Sequence, residues 1–174
     1  MMSCRDSWVS AERILVVGDR DSGKTTALEE LRSSYRANNC EIGGFLALAN
    51  PEKTWYRLNS LATGESRLAF SEESGLGSLR LGRFFVDASV FAWANAQVHS
   101  DLEHCKVVFF DEIGKLELQG KGFAPSFRSA LEAEAVSVVA AVRTSFLDEV
   151  IHTFSLDKHP YSLVNVVKPI RNES

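Results

Sequence analysis

The sequence of 174 residues is poor in cysteine, and no arrangement of its cysteines indicates a metal centre or a disulfide scaffold. Cys4, Cys40 and Cys105 lie far apart, so no Cys-x-x-Cys pair or Cys/His cluster with zinc spacing occurs. An odd number also argues against a framework of disulfides. No apolar run approaches the roughly 20 residues of a membrane helix, and the first ten residues lack the apolar centre of a secretory signal. We therefore expect a cytoplasmic protein with no membrane partner.

The sequence also lacks an excess of basic residues. It has 19 Lys and Arg against 23 Asp and Glu, a formal net charge of −4. This balance gives no reason to expect a nucleic-acid partner, and a protein partner cannot be named from composition. Hydrophobic residues make up 45% and charged residues 24%, which is ordinary for a globular protein. At about 150 residues per domain, we predict a flexible leader at 1–10 and a single domain over 11–174.

Short apolar runs alternate with segments of helical periodicity along the chain. Apolar runs that predict strands lie at 14–17, 42–48, 84–86, 107–110, 136–142 and 162–167, and helical patterns lie at 25–36, 87–98, 124–135 and 146–154. Buried strands alternating with helices favour an α/β fold, with a mostly parallel sheet flanked by helices. Two extended runs around a glycine-containing turn predict a β-hairpin addition over about 54–70 at one edge of the sheet. Residues 72–82, with three glycines, are predicted to form a loop.

A phosphate-binding loop is predicted directly after the first apolar run. The predicted nucleotide-binding residues form one continuous segment, Gly18, Asp19, Arg20, Asp21, Ser22, Gly23, Lys24, Thr25 and Thr26. Its first eight residues fit the pattern G-x-x-x-x-G-K-[ST] (Walker A). The pattern lies between a predicted strand and a predicted helix, where the mechanism of phosphate binding requires it. Backbone amides of such a loop, together with the helix N-terminus, attract phosphate oxygens.

Two side chains of this loop have predicted chemical roles, and two others are unexpected. Lys24 is expected to reach the β- and γ-phosphates as a catalytic residue, and the Thr25 hydroxyl to ligate Mg²⁺. Asp19 and Asp21 place two carboxylates in a loop that must hold anions. Either both point to solvent, or nucleotide binding is weaker than usual.

The acidic pair Asp111-Glu112 follows four apolar residues, as a Walker B element does. A strand that ends beside the phosphate loop brings Asp111 toward the Mg²⁺ shell, which needs only one or two protein oxygens. Glu112 is then placed to act as the catalytic general base that activates water for attack on the γ-phosphate. The expected cofactor is Mg²⁺ and the expected partner is a nucleoside triphosphate.

The segment Asp-Glu-Ile-Gly-Lys-Leu-Glu-Leu at 111–118 resembles the signature of a P-loop nucleoside-triphosphatase family, which includes thermophile and animal enzymes. Segments 18–26, 42–46 and 82–87, with Phe91, resemble other parts of that family in the same order. The resemblance covers roughly residues 12–155. It implies a RecA-like P-loop fold and slow, Mg²⁺-dependent hydrolysis of nucleoside triphosphates to diphosphates, with broad tolerance of the base.

The sequence departs from that family at two places. Asp21 stands where family members often have a third glycine in the phosphate loop. The family's C-terminal Asn-Arg element is not clear here, and residues 162–167 are the candidate for its place. Lys115 and Glu117 belong to the signature, and we expect an ion pair between them to shape the loop after the strand.

Arg143 follows the apolar run at 136–142 and faces the ligand crevice if that strand is parallel. It is a candidate γ-phosphate sensor or stabiliser of transition-state charge, although strand-end arginines are often simple surface residues. Two other functions stay open at this point, a P-loop kinase and a nucleotide-dependent binding or switch module. The arginines are scattered rather than gathered in a lid, and Glu112 directly after Asp111 favours water as the acceptor.

Overall fold

The computed structural model describes residues 10–168. The predicted leader at 1–10 lies outside the described residues except for Ser10, and so does the end of the predicted domain, residues 169–174. Within residues 10–168, none of the helices combines the length and the apolar character that crossing a bilayer requires.

Nine strands and five helices make up the described chain. The strands are β1 (Arg13–Gly18), β2 (Ile42–Ala49), β3 (Trp55–Ser60), β4 (Ser66–Ser71), β5 (Leu79–Leu81), β6 (Phe84–Val86), β7 (Val107–Ile113), β8 (Ser137–Arg143) and β9 (Ser162–Asn165). The helices are α1 (Lys24–Ala37), α2 (Ala88–His104), α3 (Lys115–Leu118), α4 (Ala124–Glu132) and α5 (Leu147–Thr153). Short 3₁₀ turns at Thr144–Phe146 and Leu156–Lys158 flank α5.

All nine strands belong to one sheet in the order β5-β6-β4-β3-β2-β7-β8-β1-β9. From β2 to β9 every neighbouring pair is parallel. From β2 outward to β5 every pair is antiparallel. The α/β fold with a parallel core and a hairpin at one edge is therefore confirmed, and the antiparallel extension is larger than the predicted β3–β4 hairpin because β5 and β6 continue it.

The structure differs from the predicted elements at two places that matter for the site. Residues 79–81, predicted as loop, form β5, a three-residue strand too short and too close to glycines to show a periodicity. Strand β7 does not end before the acidic pair but runs through it to Ile113. Two polar residues at the end of an apolar run hide this continuation, because the apolar pattern stops at Phe110 although the strand does not.

Two apolar layers cover the parallel strands. Val16, Leu28 and Phe109 belong to a cluster beneath α1, whereas Leu15 and Phe110 belong to a larger cluster beneath α2, α4 and α5. Neighbouring residues of one strand enter different clusters because strand side chains alternate between the two faces of the sheet. With both faces covered, the carboxyl ends of the central strands are the open place for a ligand.

Candidate active site

The phosphate loop connects β1 to α1, as the motif predicts. Gly23 at the helix start has φ 99°, and Asp21 has φ 57°. Both values lie in the left-handed region that favours glycine, and Asp and Asn enter it more readily than other residues. Asp21 therefore adopts a backbone conformation that would cost a glycine nothing and that an aspartate tolerates better than most residues do.

Gly18 ends β1 at a crowded place in the chain. A Cβ at this position would overlap the Ser22 Oγ and lie 2.8 Å from the carbonyl oxygen of Val166. The amide of Val166 in turn donates to the Val17 carbonyl at 2.7 Å. The chain after β9 therefore packs directly against the phosphate loop, which requires a glycine at position 18.

Of the two predicted catalytic residues, Lys24 and Glu112, Lys24 is the more buried, at 7% exposure. Its Nζ donates to the carbonyl oxygens of Gly18 at 3.1 Å and Asp19 at 2.7 Å. Burial lowers the pKa of Lys24, while the nearby Glu112 carboxylate acts in the opposite sense. The loop's own carbonyls thus hold the ammonium group over the loop, where an anion could replace them.

Asp111 and Thr25 meet although 86 residues separate them. The Thr25 hydroxyl donates to Asp111 Oδ2 at 3.0 Å, and the same oxygen accepts from the Ala47 amide at 3.1 Å. Burial raises the pKa of Asp111 to about 6, and these two hydrogen bonds oppose that rise. The side chains predicted to share a metal ion therefore lie in direct contact.

Glu112 and Arg143 form an ion pair beside this contact. Strand β8 lies between β1 and β7 in the sheet, so Arg143 at its carboxyl end lies between the phosphate loop and the acidic pair. The Arg143 Nε lies 3.0 Å from Glu112 Oε1. A register shift between Phe110 and Ile113 bulges β7 here. Such a bulge turns consecutive side chains that would otherwise alternate, and both Asp111 and Glu112 line the cavity.

Comparison with known proteins identifies the family of the chain. The sequence model of a family described as NTPase matches residues 13–173. The chain belongs to the NTPase family. The predicted family resemblance is therefore confirmed.

A curated relative and a solved structure are similar to this chain. Nucleoside-triphosphatase THEP1 of Korarchaeum cryptofilum (strain OPF8) is 29% identical over 136 residues, which cover 74% of this chain and 68% of that protein. The crystal structure of THEP1 from the hyperthermophile Aquifex aeolicus superposes with a TM-score of 0.72 at 20% identity, covering 92% of both chains. The structural likeness shows that this chain shares the fold of that protein.

The expected ion pair between Lys115 and Glu117 is wrong. Lys115 is exposed, whereas Glu117 is 4% exposed and accepts from the amides of Gly114 and Phe123, both at 2.9 Å. Burial raises the pKa of Glu117 to about 7. The carboxyl group therefore closes the loop after β7 through backbone amides, which a charge-pairing argument cannot foresee.

The two unexpected acids of the phosphate loop have different surroundings. Asp19, Asp21 and Arg20 are all exposed. Asp21, however, forms an ion pair with Lys53, which lies in the turn between β2 and β3. Hydrogen bonding to Lys53 lowers the pKa of Asp21. Both acids are thus exposed, as the first alternative has it, but Asp21 also has a cationic partner. The sequence offers no signal for a partner 32 residues away in a turn.

One cavity of about 820 Å³ joins the sequence-predicted residues. It is lined by the loop from Arg20 to Thr26 and by Asp111, Glu112 and Arg143. Its far part was not predicted and lies over the antiparallel extension, where it is lined by Lys53, Tyr56, Phe70, Leu81, Arg83 and Phe84. The site therefore extends beyond the Walker elements toward strands that carry no recognised nucleotide motif.

Proposed function

We propose that this chain hydrolyses nucleoside 5′-triphosphates to diphosphate and phosphate, slowly, with Mg²⁺ as cofactor and with broad tolerance of the base. The observation that carries the proposal is the convergence of Lys24, Thr25, Asp111 and Glu112 on one cavity. Membership in the NTPase family supports the reaction class.

Binding of the polyphosphate is assigned to the phosphate loop. The loop amides and the N-terminus of α1 supply donors and partial positive charge to the phosphates. Lys24, now bonded to two loop carbonyls, would exchange these partners for β- and γ-phosphate oxygens. The exchange favours an anion because a charged acceptor binds an ammonium more strongly than a carbonyl does.

The Thr25–Asp111 pair fits a Mg²⁺ ion. Hydroxyl and carboxylate oxygens are the ligands this hard cation prefers, and it keeps several waters, so two protein oxygens suffice. When bound, Mg²⁺ neutralises charge that develops on the β- and γ-phosphate oxygens.

Glu112 would orient water and accept its proton. As the water oxygen bonds to the γ-phosphorus, the bond from phosphorus to the bridging oxygen breaks and the diphosphate leaves. Arg143 pairs with Glu112 Oε1, so the other carboxylate oxygen of Glu112 would accept from the attacking water. Arg143 lies where it can stabilise negative charge on the transferred group.

The proposed tolerance of the base follows from the parts of the substrate that the binding groups contact. The phosphate loop, Thr25 and Asp111 all address phosphate or metal, which every nucleoside triphosphate presents alike. No step of the proposed reaction uses a contact with the base. The four common triphosphates should therefore be hydrolysed at rates within about tenfold of one another.

The test is phosphate release from ATP, GTP, CTP and UTP with Mg²⁺ or with EDTA, and with no added acceptor. We expect release from all four that requires Mg²⁺ and is lost in Lys24→Ala, which binds nucleotide weakly, and in Glu112→Gln, which binds it normally. Lys106→Met, at the opposite end of β7 from the site, is the matched control. Phosphate release that persists in EDTA contradicts the metal role, and full turnover by Glu112→Gln contradicts the base. Transfer to an added acceptor with no release to water identifies a kinase.

A further inference from the structure

A second lysine reaches the phosphate loop from outside the recognised motif. Lys53, in the turn between β2 and β3, pairs through its ammonium with the Asp21 carboxylate. Both side chains line the cavity that holds Lys24 and Glu112. The pair therefore spans from the phosphate loop to the antiparallel extension at the edge of the cavity.

The turn that carries Lys53 is held in place by several contacts. The Lys53 amide donates to the Asn50 carbonyl at 2.9 Å, and Asn50 Oδ1 accepts from the amides of Thr54 and Trp55. From the other side, Arg83 donates to the Lys53 carbonyl at 3.2 Å while its Nε pairs with Glu72 at 2.7 Å. These hydrogen bonds thus fix the backbone of the turn that carries Lys53.

Both members of the pair adopt an unfavourable backbone. Lys53 has φ 55° and Asp21 has φ 57°, and left-handed conformations are costly for residues other than glycine, more so for Lys than for Asp. Strained residues persist where the surrounding structure holds them, often at ligand sites.

Stability of the fold does not account for the pair. The side chains of Lys53 and Asp21 are 46% and 45% exposed, and ion pairs this open to water contribute little to folding. The pair instead changes the charge that a polyphosphate would meet at the phosphate loop. An unpaired Asp21 would repel a polyphosphate, whereas Lys53 cancels that charge and brings a donor with further N–H groups to the edge of the site.

We propose that Lys53 is a substrate-positioning residue of the proposed triphosphatase, which Asp21 holds at the phosphate loop so that its ammonium binds the polyphosphate together with Lys24. Asp21 acts through Lys53 and does not itself contact substrate. The inference rests on the proposed function, because it concerns the same polyphosphate. It also explains why a carboxylate is compatible with position 21 of an anion-binding loop.

A double-mutant cycle on Lys53 and Asp21 tests this assignment. The affinity for a non-hydrolysable ATP analogue with Mg²⁺ is measured by calorimetry, alongside KM and kcat for ATP. We expect Lys53→Met to weaken binding and raise KM about tenfold with kcat changed less than about threefold, because Asp21 is then unpaired. Adding Asp21→Asn to Lys53→Met should restore part of the affinity, and Lys53→Arg should retain most of it. Lys106→Met is the control for removing one exposed lysine.

The outcomes separate this inference from the proposed function. Unchanged analogue affinity in Lys53→Met overturns the inference, even if thermal unfolding shifts, since that pattern shows a purely structural pair. Wild-type affinity in the double variant also overturns it, because Lys53 would then only neutralise Asp21 and would add no contact with the polyphosphate. If the wild-type chain hydrolyses ATP in either case, the proposed function stands. If the wild-type chain neither binds nor hydrolyses any triphosphate, both fail together.

Discussion

The Arg143 guanidinium and the Glu112 carboxylate lie 3.0 Å apart at the carboxyl ends of two adjacent parallel strands. The same Arg143 opposes protonation of Lys24, and Glu112 favours it. The pair therefore links the residue proposed to activate water with the residue proposed to hold phosphate. A γ-phosphate arriving between them would compete with Glu112 for Arg143.

Removing Arg143 tests that competition. We expect Arg143→Ala to lower kcat about 100-fold, since charge stabilisation by one preorganised donor is typically of this size. KM should change much less, because Lys24 and the loop amides remain. Arg143→Lys should recover part of kcat. A variant with wild-type kcat would show that Arg143 only restrains Glu112 in the free protein.

Asp111→Asn tests the metal pair. We expect the Mg²⁺ concentration for half-maximal activity to rise at least about tenfold, since a charged oxygen ligand is replaced by a neutral one. In the absence of Mg²⁺, the variant should unfold at the same or a higher temperature at pH 7, because burial raises the pKa of Asp111 and its charged form is costly. A lower unfolding temperature in EDTA would contradict this account.

Glu117→Gln tests the pH dependence of stability. Burial raises the pKa of Glu117 from 4.5 to about 7, so between these values the folded chain binds the proton that the unfolded chain has released. The free energy of unfolding must therefore fall as pH rises through this window, by up to about 3 kcal/mol from this group. Glutamine mimics the neutral carboxyl and should reduce the slope. Urea unfolding without Mg²⁺ from pH 4.5 to 8 measures it, and an unchanged slope in the variant refutes the assignment to Glu117.

Gly44→Ala tests the close packing of β2 against β7. Gly44 has φ 83°, and a Cβ there would overlap the backbone of Phe109 on the neighbouring strand. We expect a loss of more than about 3 kcal/mol in the free energy of unfolding. Gly64→Ala is the matched control, because its φ is 78° but nothing lies within 4 Å of the added carbon, and it should cost about 1 kcal/mol. Similar losses in both variants would mean that the positive φ alone accounts for the lost stability, with no contribution from the overlap with Phe109.

Much of the fold could be predicted from the sequence. The predicted runs at 14–17 and 136–142 became β1 and β8 with only small changes of their bounds, because a strand buried on both faces leaves a continuous apolar run. The strand at 79–81 and the bulge in β7 were missed. A three-residue strand has too few residues to show a period, and a bulge depends on the register with a neighbour.

The phosphate loop was determined by the sequence itself, because its donors are consecutive backbone amides and its glycines are needed within one short segment. Local order likewise determined that Asp111 and Glu112 stand together after an apolar run, near the carboxyl end of β7. Only the tertiary structure decided that β8 brings Arg143 to Glu112, and that the β2–β3 turn brings Lys53 to Asp21. These contacts join distant segments through sheet order, and strand order is set by packing of the whole chain rather than by any local pattern.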